Sequence, residues 1–160
     1  MTIIHQLIEL ETEAGIQLYD ITTSIQEFLT STPVKNGQVL VFSRHTTTAL
    51  TINENEPRLF DDIKAYLKNL APEGALLVGG RTYSYRHNDL HLRPNIPADE
   101  PMNAHSHLMA ITLSTSEIVP VVDGKLALGT YQSILLFELD GPRKRTVFVQ
   151  VSGEEGRGNG

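Results

Sequence analysis

The sequence predicts an α+β fold, an antiparallel β-sheet assembly of sandwich- or barrel-like form that carries two main helices. Three observations lead there. Ile25, Phe28 and Leu29, and later Leu59, Phe60, Ile63, Leu67 and Leu70, recur at helical spacing. Runs at strand period flank both stretches and fill most of the C-terminal part. Asp123-Gly124, between Ile118–Val122 and Leu126–Leu128, supplies the positive-φ pair that a tight hairpin requires.

The elements follow in chain order. Ile3–Glu11 mixes apolar and polar residues as a strand does, and Gly15 separates it from a second run, Ile16–Ile21. Thr23 followed by Gln26 is a capping-box pattern for the first helix. Pro33 and Asn36-Gly37 stop that helix and turn the chain into Val39-Leu40-Val41-Phe42, which is apolar on both faces and expected as a fully buried strand. Pro57 suits the first turn of the second helix, and Ala71-Pro72 closes it. Arg81 to Met102 has few large apolar residues and contains Pro94, Pro97 and Pro101, so it reads as one long functional loop. Leu108–Leu113 reads as a strand. Tyr131–Leu139 and Thr146–Ser152 read as a strand pair around Asp140-Gly141-Pro142-Arg143. Residues 1–152 are expected as a single domain and the Gly-rich, charged residues 153–160 as a flexible tail.

Composition narrows the function classes. A chain of 160 residues, 40% hydrophobic and 20% charged, is long enough for its own core and ordinary for a globular protein. The formal net charge of −6 argues against nucleic acid as a partner. No apolar run approaches the ~20 residues that span a bilayer, and the N-terminus lacks a signal-peptide pattern, so the expectation is a cytoplasmic protein without a membrane partner. The absence of cysteine removes thiolate nucleophiles, disulfides and Cys-type zinc sites.

The six histidines carry the chemical signal. His45 lies in Arg44-His45-Thr46-Thr47, His87 and His91 are four apart, His105 and His107 are two apart, and His5 stands alone. Neutral imidazole is the commonest zinc ligand, and three of them with a water make an open catalytic site. Unrelated strand and surface histidines are the plain alternative. On the expected strand, His105 and His107 share a face, so both reach one ion, or one ligates while the other contacts substrate. The hydroxyls of Thr46 and Thr47 suit a phosphate or an imidazole, although β propensity alone also accounts for threonines. Asn53-Glu54-Asn55-Glu56 could cap the second helix or coordinate an ion. Arg143 is a candidate clamp for phosphate or carboxylate, while Lys144 and Arg145 read as solvated turn cations. Neither a nucleophile elbow, a P-loop nor a dinucleotide fingerprint occurs.

In their order these motifs resemble the YjbQ family of small bacterial and archaeal proteins. The matching stretches are Ser43-Arg44-His45-Thr46-Thr47 with Leu50-Thr51-Ile52-Asn53-Glu54-Asn55, Tyr85-Arg86-His87, Asn103-Ala104 with His107, Gly124 through Gln132, and Glu138 through Arg143. The resemblance runs from about Val39 to Val151. It implies a YjbQ-like α+β fold, a homotrimer, a histidine-lined metal site and secondary thiamine-phosphate synthase activity. Such a transferase joins hydroxymethylpyrimidine diphosphate to a thiazole phosphate and releases pyrophosphate.

By position, the resemblance implies His45, His87 and His107 as metal ligands and Arg143 as an anion contact. The chain departs from the commonest family pattern between His87 and Asn103, where His91 and His105 are alternative ligands. The expected catalytic groups are Glu54, Arg143 and His105. Arg44, Thr46, Thr47, Asn53, Asn103, Gln132 and Arg143 are expected to bind a small phosphorylated substrate. Imidazoles suit zinc, whereas pyrophosphate departure is ordinarily helped by magnesium. The same site therefore also suits a metal-dependent hydrolase of a phosphorylated or cyclic substrate, with Glu54 as base and Asp99 and Glu138 as the other carboxylates open to that role. A non-enzymatic metabolite-binding module is the third class.

Overall fold

Small β-branched residues at every second position build the larger sheet. In strand β10 (Lys144–Glu155), Val147, Val149 and Val151 are fully buried while Phe148 and Gln150 between them are half-exposed. The same alternation runs through β3 (Val34–Ser43), where Val39 and Val41 are buried, and β7 (Ser116–Val122), where Val119 and Val121 are. Together with β1 (Thr2–Glu11) and β8 (Lys125–Leu126) they pair antiparallel in the order β1-β10-β3-β7-β8. A second antiparallel sheet has the order β2-β9-β4, from Gly15–Asp20, Ser133–Gly141 and Thr48–Asn53. A separate hairpin joins β5 (Ala75–Val78) to β6 (Arg81–Ser84). This is a computed structural model, and it describes residues 1–157.

The layers follow from β9, which is buried on both faces. Ile134 and Leu136 join the valines of the larger sheet and Ile25, Phe28 and Leu29 of helix α1 (Thr22–Ser31) in one core. Phe137 and Leu139 point the other way, into a second cluster with Leu67 of helix α2 (Pro57–Leu70) and Met109 and Ala110 of helix α3 (Ala104–Thr112). The fold is thus α+β, two antiparallel sheets face to face, with α2 and α3 over the outer side of the smaller one and α1 against the core between the sheets. Burying the seven to fifteen side chains of each cluster is the main stabilising term.

Several expectations need correction. There are three α-helices among the described residues, not two, because Leu108–Leu113 continues α3 rather than forming a strand. A short apolar run cannot distinguish the two by periodicity, and Ala104, Leu108, Met109 and Ala110 are good helix formers. Thr23 and Gln26 make no capping box: Ile21 occupies the cap, and Asp20 Oδ1 accepts from the Thr22 N–H at 2.9 Å. The α2 start is as expected, with Glu56 accepting from the Leu59 N–H. Val39–Phe42 is buried on one face only, Phe42 being 40% exposed on the outer face of the larger sheet. Arg81–Met102 is not one loop, since it begins with β6 and continues through 3-10 turns at Arg86–Asn88 and Leu90–Leu92. The strands around Asp140–Arg143 do not pair with each other; the chain changes sheet there. Finally, β10 continues through Glu155, opposite Val34, so residues 153–155 are strand; residues 158–160 of the expected tail lie outside the described ones.

Two glycines fix local geometry. At Gly124 φ is +77° and at Asp123 +50°, the pair that closes the β7–β8 hairpin. A Cβ at Gly141 would lie 2.0 Å from the Glu13 carbonyl oxygen, so only glycine lets β9 leave its sheet there.

Candidate functional site

At one end of the two-sheet core, four segments meet around a cavity of about 660 Å³. The β3–β4 connection brings Arg44, His45, Thr46 and Thr47, while the end of β9 brings Asp140, the connection after it Arg143 and the start of β10 Arg145. Helix α3 contributes Asn103 and His107 from its first turns, and Pro97–Pro101 forms the remaining wall with Asp99 and Glu100.

The floor is a buried ion pair. Strand period carried back from Val147 puts Arg145 on the buried face of β10, and carried forward from Leu136 it puts Glu138 opposite. Arg145 is 5% exposed and Glu138 0%. Arg145 Nε and Nη2 donate to the two Glu138 oxygens at 2.8 and 2.6 Å, and Nη2 also donates to Thr47 Oγ1 at 2.8 Å. Thr12 Oγ1 and the Asp140 N–H donate to the same carboxylate. Burial by itself would raise the Glu138 pKa, but these donors, Arg145 first, hold it below its ordinary value. Arg145 is therefore not the solvated cation expected from the sequence. The alternation that reveals it was already legible.

Arg143 is tied differently, its Nε to the Asp140 carbonyl and its Nη2 to Asp140 Oδ2, both at 2.9 Å. Asn103 Nδ2 donates to the same Asp140 oxygen at 2.7 Å, while Asn103 Oδ1 is buried without a partner. Glu100 is engaged by Arg93 at 3.2 Å. Arg44 is exposed on the cavity wall and makes no ion pair among the described residues.

The histidines divide. His45 lines the cavity, and its Nε2 accepts from the Thr146 backbone N–H at 2.9 Å. Burial, then the Arg145 charge, lowers its pKa. His107 lines the cavity too, and its pKa is lowered by burial, then by His87. Both shifts favour the neutral imidazole. His87 lies behind His107 in an adjoining apolar pocket with Leu76, Tyr83, Tyr85 and Leu108, its ring edge-on to His107 with centroids 4.7 Å apart. Its Nε2 is buried without a partner.

Other expected residues lie elsewhere. His105 does not line the cavity: two residues apart on a helix means nearly opposite faces, and its Nδ1 is buried without a partner. His91 is exposed on a 3-10 turn, and His5 stacks on Phe148. Glu54, Asn53 and Gln132 line a separate groove with Ile52 and Tyr131. They sit past the far end of β4, roughly 17 Å along an extended strand from Thr48. Glu54 is thus remote from the histidines.

Among the described residues no three of His, Asp or Glu converge as a metal site. His45 is moreover engaged at one ring nitrogen. An N–H can only donate, so the Nε2 lone pair is spent on Thr146 and the neutral ring carries its proton on Nδ1. His87 and His107 are adjacent, but the three-histidine set implied by the resemblance is not gathered within one chain.

Comparison with known proteins places these motifs. The model of the family described as UPF0047 protein YjbQ-like matches residues 6–154. A UPF0047 protein of Methanothermobacter thermautotrophicus is 41% identical over 96% of this chain and 95% of its own length. One from Archaeoglobus fulgidus is 40% identical over 89% and 96%. The crystal structure of a YbjQ-like protein of unknown function from Sulfolobus solfataricus superposes with a TM-score of 0.82 at 33% identity, covering 96% of this chain and 99% of that one. A family member from Clostridium acetobutylicum gives 0.74 at 33% identity, covering 90% and 97%. With residues 6–154 matched by the family model and close relatives aligned over nearly its whole length, the chain belongs to the YjbQ-like UPF0047 family.

Proposed function

We propose that the cavity binds a small phosphorylated metabolite and that the protein is a transferase of the thiamine-phosphate synthase type. One observation carries the reading: Arg44, which makes no ion pair among the described residues, stands beside Thr46 and His45 and shares the cavity with Arg143. Guanidinium groups bind phosphate oxygens bidentately and stabilise the charge that gathers on departing pyrophosphate. Glu138 neutralises Arg145 in the floor and leaves its Nη1 facing no protein acceptor among the described residues.

His107 favours a second reading, hydrolysis of a phosphorylated or cyclic substrate. It lines the cavity and its pKa is lowered, first by burial, which favours the neutral imidazole that can take a proton from attacking water. A divalent metal, zinc by ligand chemistry or magnesium for the synthase reaction, would find only His87 and His107 as adjoining imidazoles in one chain.

We extend the proposal to a cytoplasmic homotrimer. Among the described residues no helix is long and apolar enough to cross a membrane. The outer face of the larger sheet exposes Ile3, Leu7, Phe42, Ile118 and Val122, an apolar surface of the kind that self-association covers. In such an assembly the groove of Asn53, Glu54 and Gln132 is available to a neighbouring copy.

Complementation of a strain lacking its main thiamine-phosphate synthase, with Arg44→Ala as control, tests the first reading. Growth that depends on Arg44 supports it. No growth with folded protein present, alongside release of phosphate from a panel of phosphate esters, would replace it with the hydrolase.

A further inference from the structure

We propose that His45 is a neutral hydrogen-bond donor to an oxyanion of the ligand, through Nδ1–H, and is neither a metal ligand nor a general base. The inference rests on the phosphate-binding reading for the identity of the acceptor, but its chemistry follows from one contact. The Thr146 backbone N–H points at His45 Nε2 from 2.9 Å, and Thr146 Oγ1 lies 3.4 Å from the same atom. A backbone amide cannot accept, so a proton on Nε2 would set donor against donor inside a half-buried strand end. The remaining tautomer places the single ring proton on Nδ1.

Among the described residues both side-chain hydrogen bonds of the His45 ring are made at Nε2, and His45 lines the cavity, which leaves Nδ1 for an incoming group. For Nδ1 to ligate a metal it would have to lose that proton while Nε2 gained one, breaking the Thr146 contact. Acting as a base fails for the same reason: the only lone pair is already spent.

What surrounds the donor selects its acceptor. Arg44 precedes it in the chain, Thr46 follows it, and Arg145 and Arg143 line the same wall with Nη1 of each making no hydrogen bond to protein. A neutral N–H between guanidinium groups favours an anion with several acceptor oxygens, which is a phosphate or diphosphate group. The strand edge at Thr146 thereby sets the tautomer of a ring that belongs to the opposite connection, and the two loops of the cavity act on the ligand as one unit.

Two measurements test this on the intact protein. Long-range ¹H–¹⁵N correlation spectra of ¹⁵N-histidine-labelled wild type at pH 7.5, chelator-treated and then with one equivalent of Zn²⁺, are expected to show His45 as the Nδ1–H tautomer in both states. An Nε2–H pattern, or a His45 signal altered by zinc ligation, would overturn the proposal. Calorimetric titration with inorganic phosphate and with pyrophosphate then reads the donor role. His45→Ala is expected to weaken binding about tenfold, the effect of one hydrogen bond to a charged group, with His45→Asn recovering part of it because it retains an N–H. Unchanged affinity in His45→Ala overturns the donor role even if Arg44→Ala loses binding, which leaves the phosphate reading standing. Loss in His45→Ala with no change in Arg44→Ala supports this inference and removes the arginine-centred basis of the proposed function.

Discussion

Arg145 and Glu138 meet at the end of the space between the two sheets, where neither group reaches bulk water. A buried pair of this kind adds little over an apolar replacement, but removing one partner strands the other charge. Glu138→Gln and Arg145→Ala are each expected to cost about 3–5 kcal/mol in denaturant unfolding, whereas Arg44→Ala, on an exposed residue, should stay within about 0.5 kcal/mol. Equal small effects at all three sites would remove the floor from this description. The pH dependence has a definite sign. His45 and His107 have folded pKa values below the ordinary 6.5, so as pH falls through 6.5 the unfolded chain takes up protons first and stability declines. Glu138 is held below 4.5, so its contribution is full above that value and is lost only as pH falls further, toward the folded pKa. The unfolding midpoint in urea should therefore start to drop below pH 6.5 and drop more steeply below 4.5. A midpoint constant from pH 7 to pH 5 would count against neutral, half-buried imidazoles.

At the scale of single elements, α3 decides the site. As a strand it would have put His105 and His107 on one face; as a helix it sends only His107 into the cavity. The same geometry separates two apolar residues that a strand would have kept together. Met109 is 1% exposed in the cluster with Phe137 and Leu67, and Ile111 is 75% exposed. Met109→Ala should destabilise by about 2–4 kcal/mol through the cavity it leaves, and Ile111→Ala should stay within about 0.5 kcal/mol. Comparable losses at both positions would return the segment to a strand. The helix is anchored by Ser106, whose buried hydroxyl donates to the Leu139 carbonyl at 2.6 Å and so ties α3 to β9 beside Asp140.

Across the whole molecule, one sheet face is left without a layer. Leu7, Phe148 and Phe42 stand in one cross-strand row on the outer side, with Leu40 and Ile118 in the next. Covering such a face is what the proposed trimer would do, so sedimentation should give about three times the 17.7 kDa of one chain. Phe42→Glu with Ile118→Glu should shift the species toward monomer while leaving far-UV circular dichroism intact. A wild type that sediments as a monomer at micromolar concentration would end the trimer proposal.

Strand alternation, helical spacing and the Asp123-Gly124 turn were enough to read the α+β class, the place of α2 and most of the strands, because each is written in residues within one element. The motif order was enough to read the family. The helical state of residues 104–112 and the crossing of β9 and β10 into different sheets were decided by tertiary packing, since short apolar runs satisfy either periodicity. The candidate site shows the same division. His45, Thr46, Arg143 and His107 were named from local motifs and do line one cavity, whereas Glu54, Gln132 and His105 sat in equally suggestive motifs and do not. Composition can nominate a chemical group, but only the three-dimensional path of the chain sets which groups face one another. The direction in which the Thr146 amide points, and with it the proton position on His45, belongs to that second kind of information: it arises from a contact 101 residues apart in the chain.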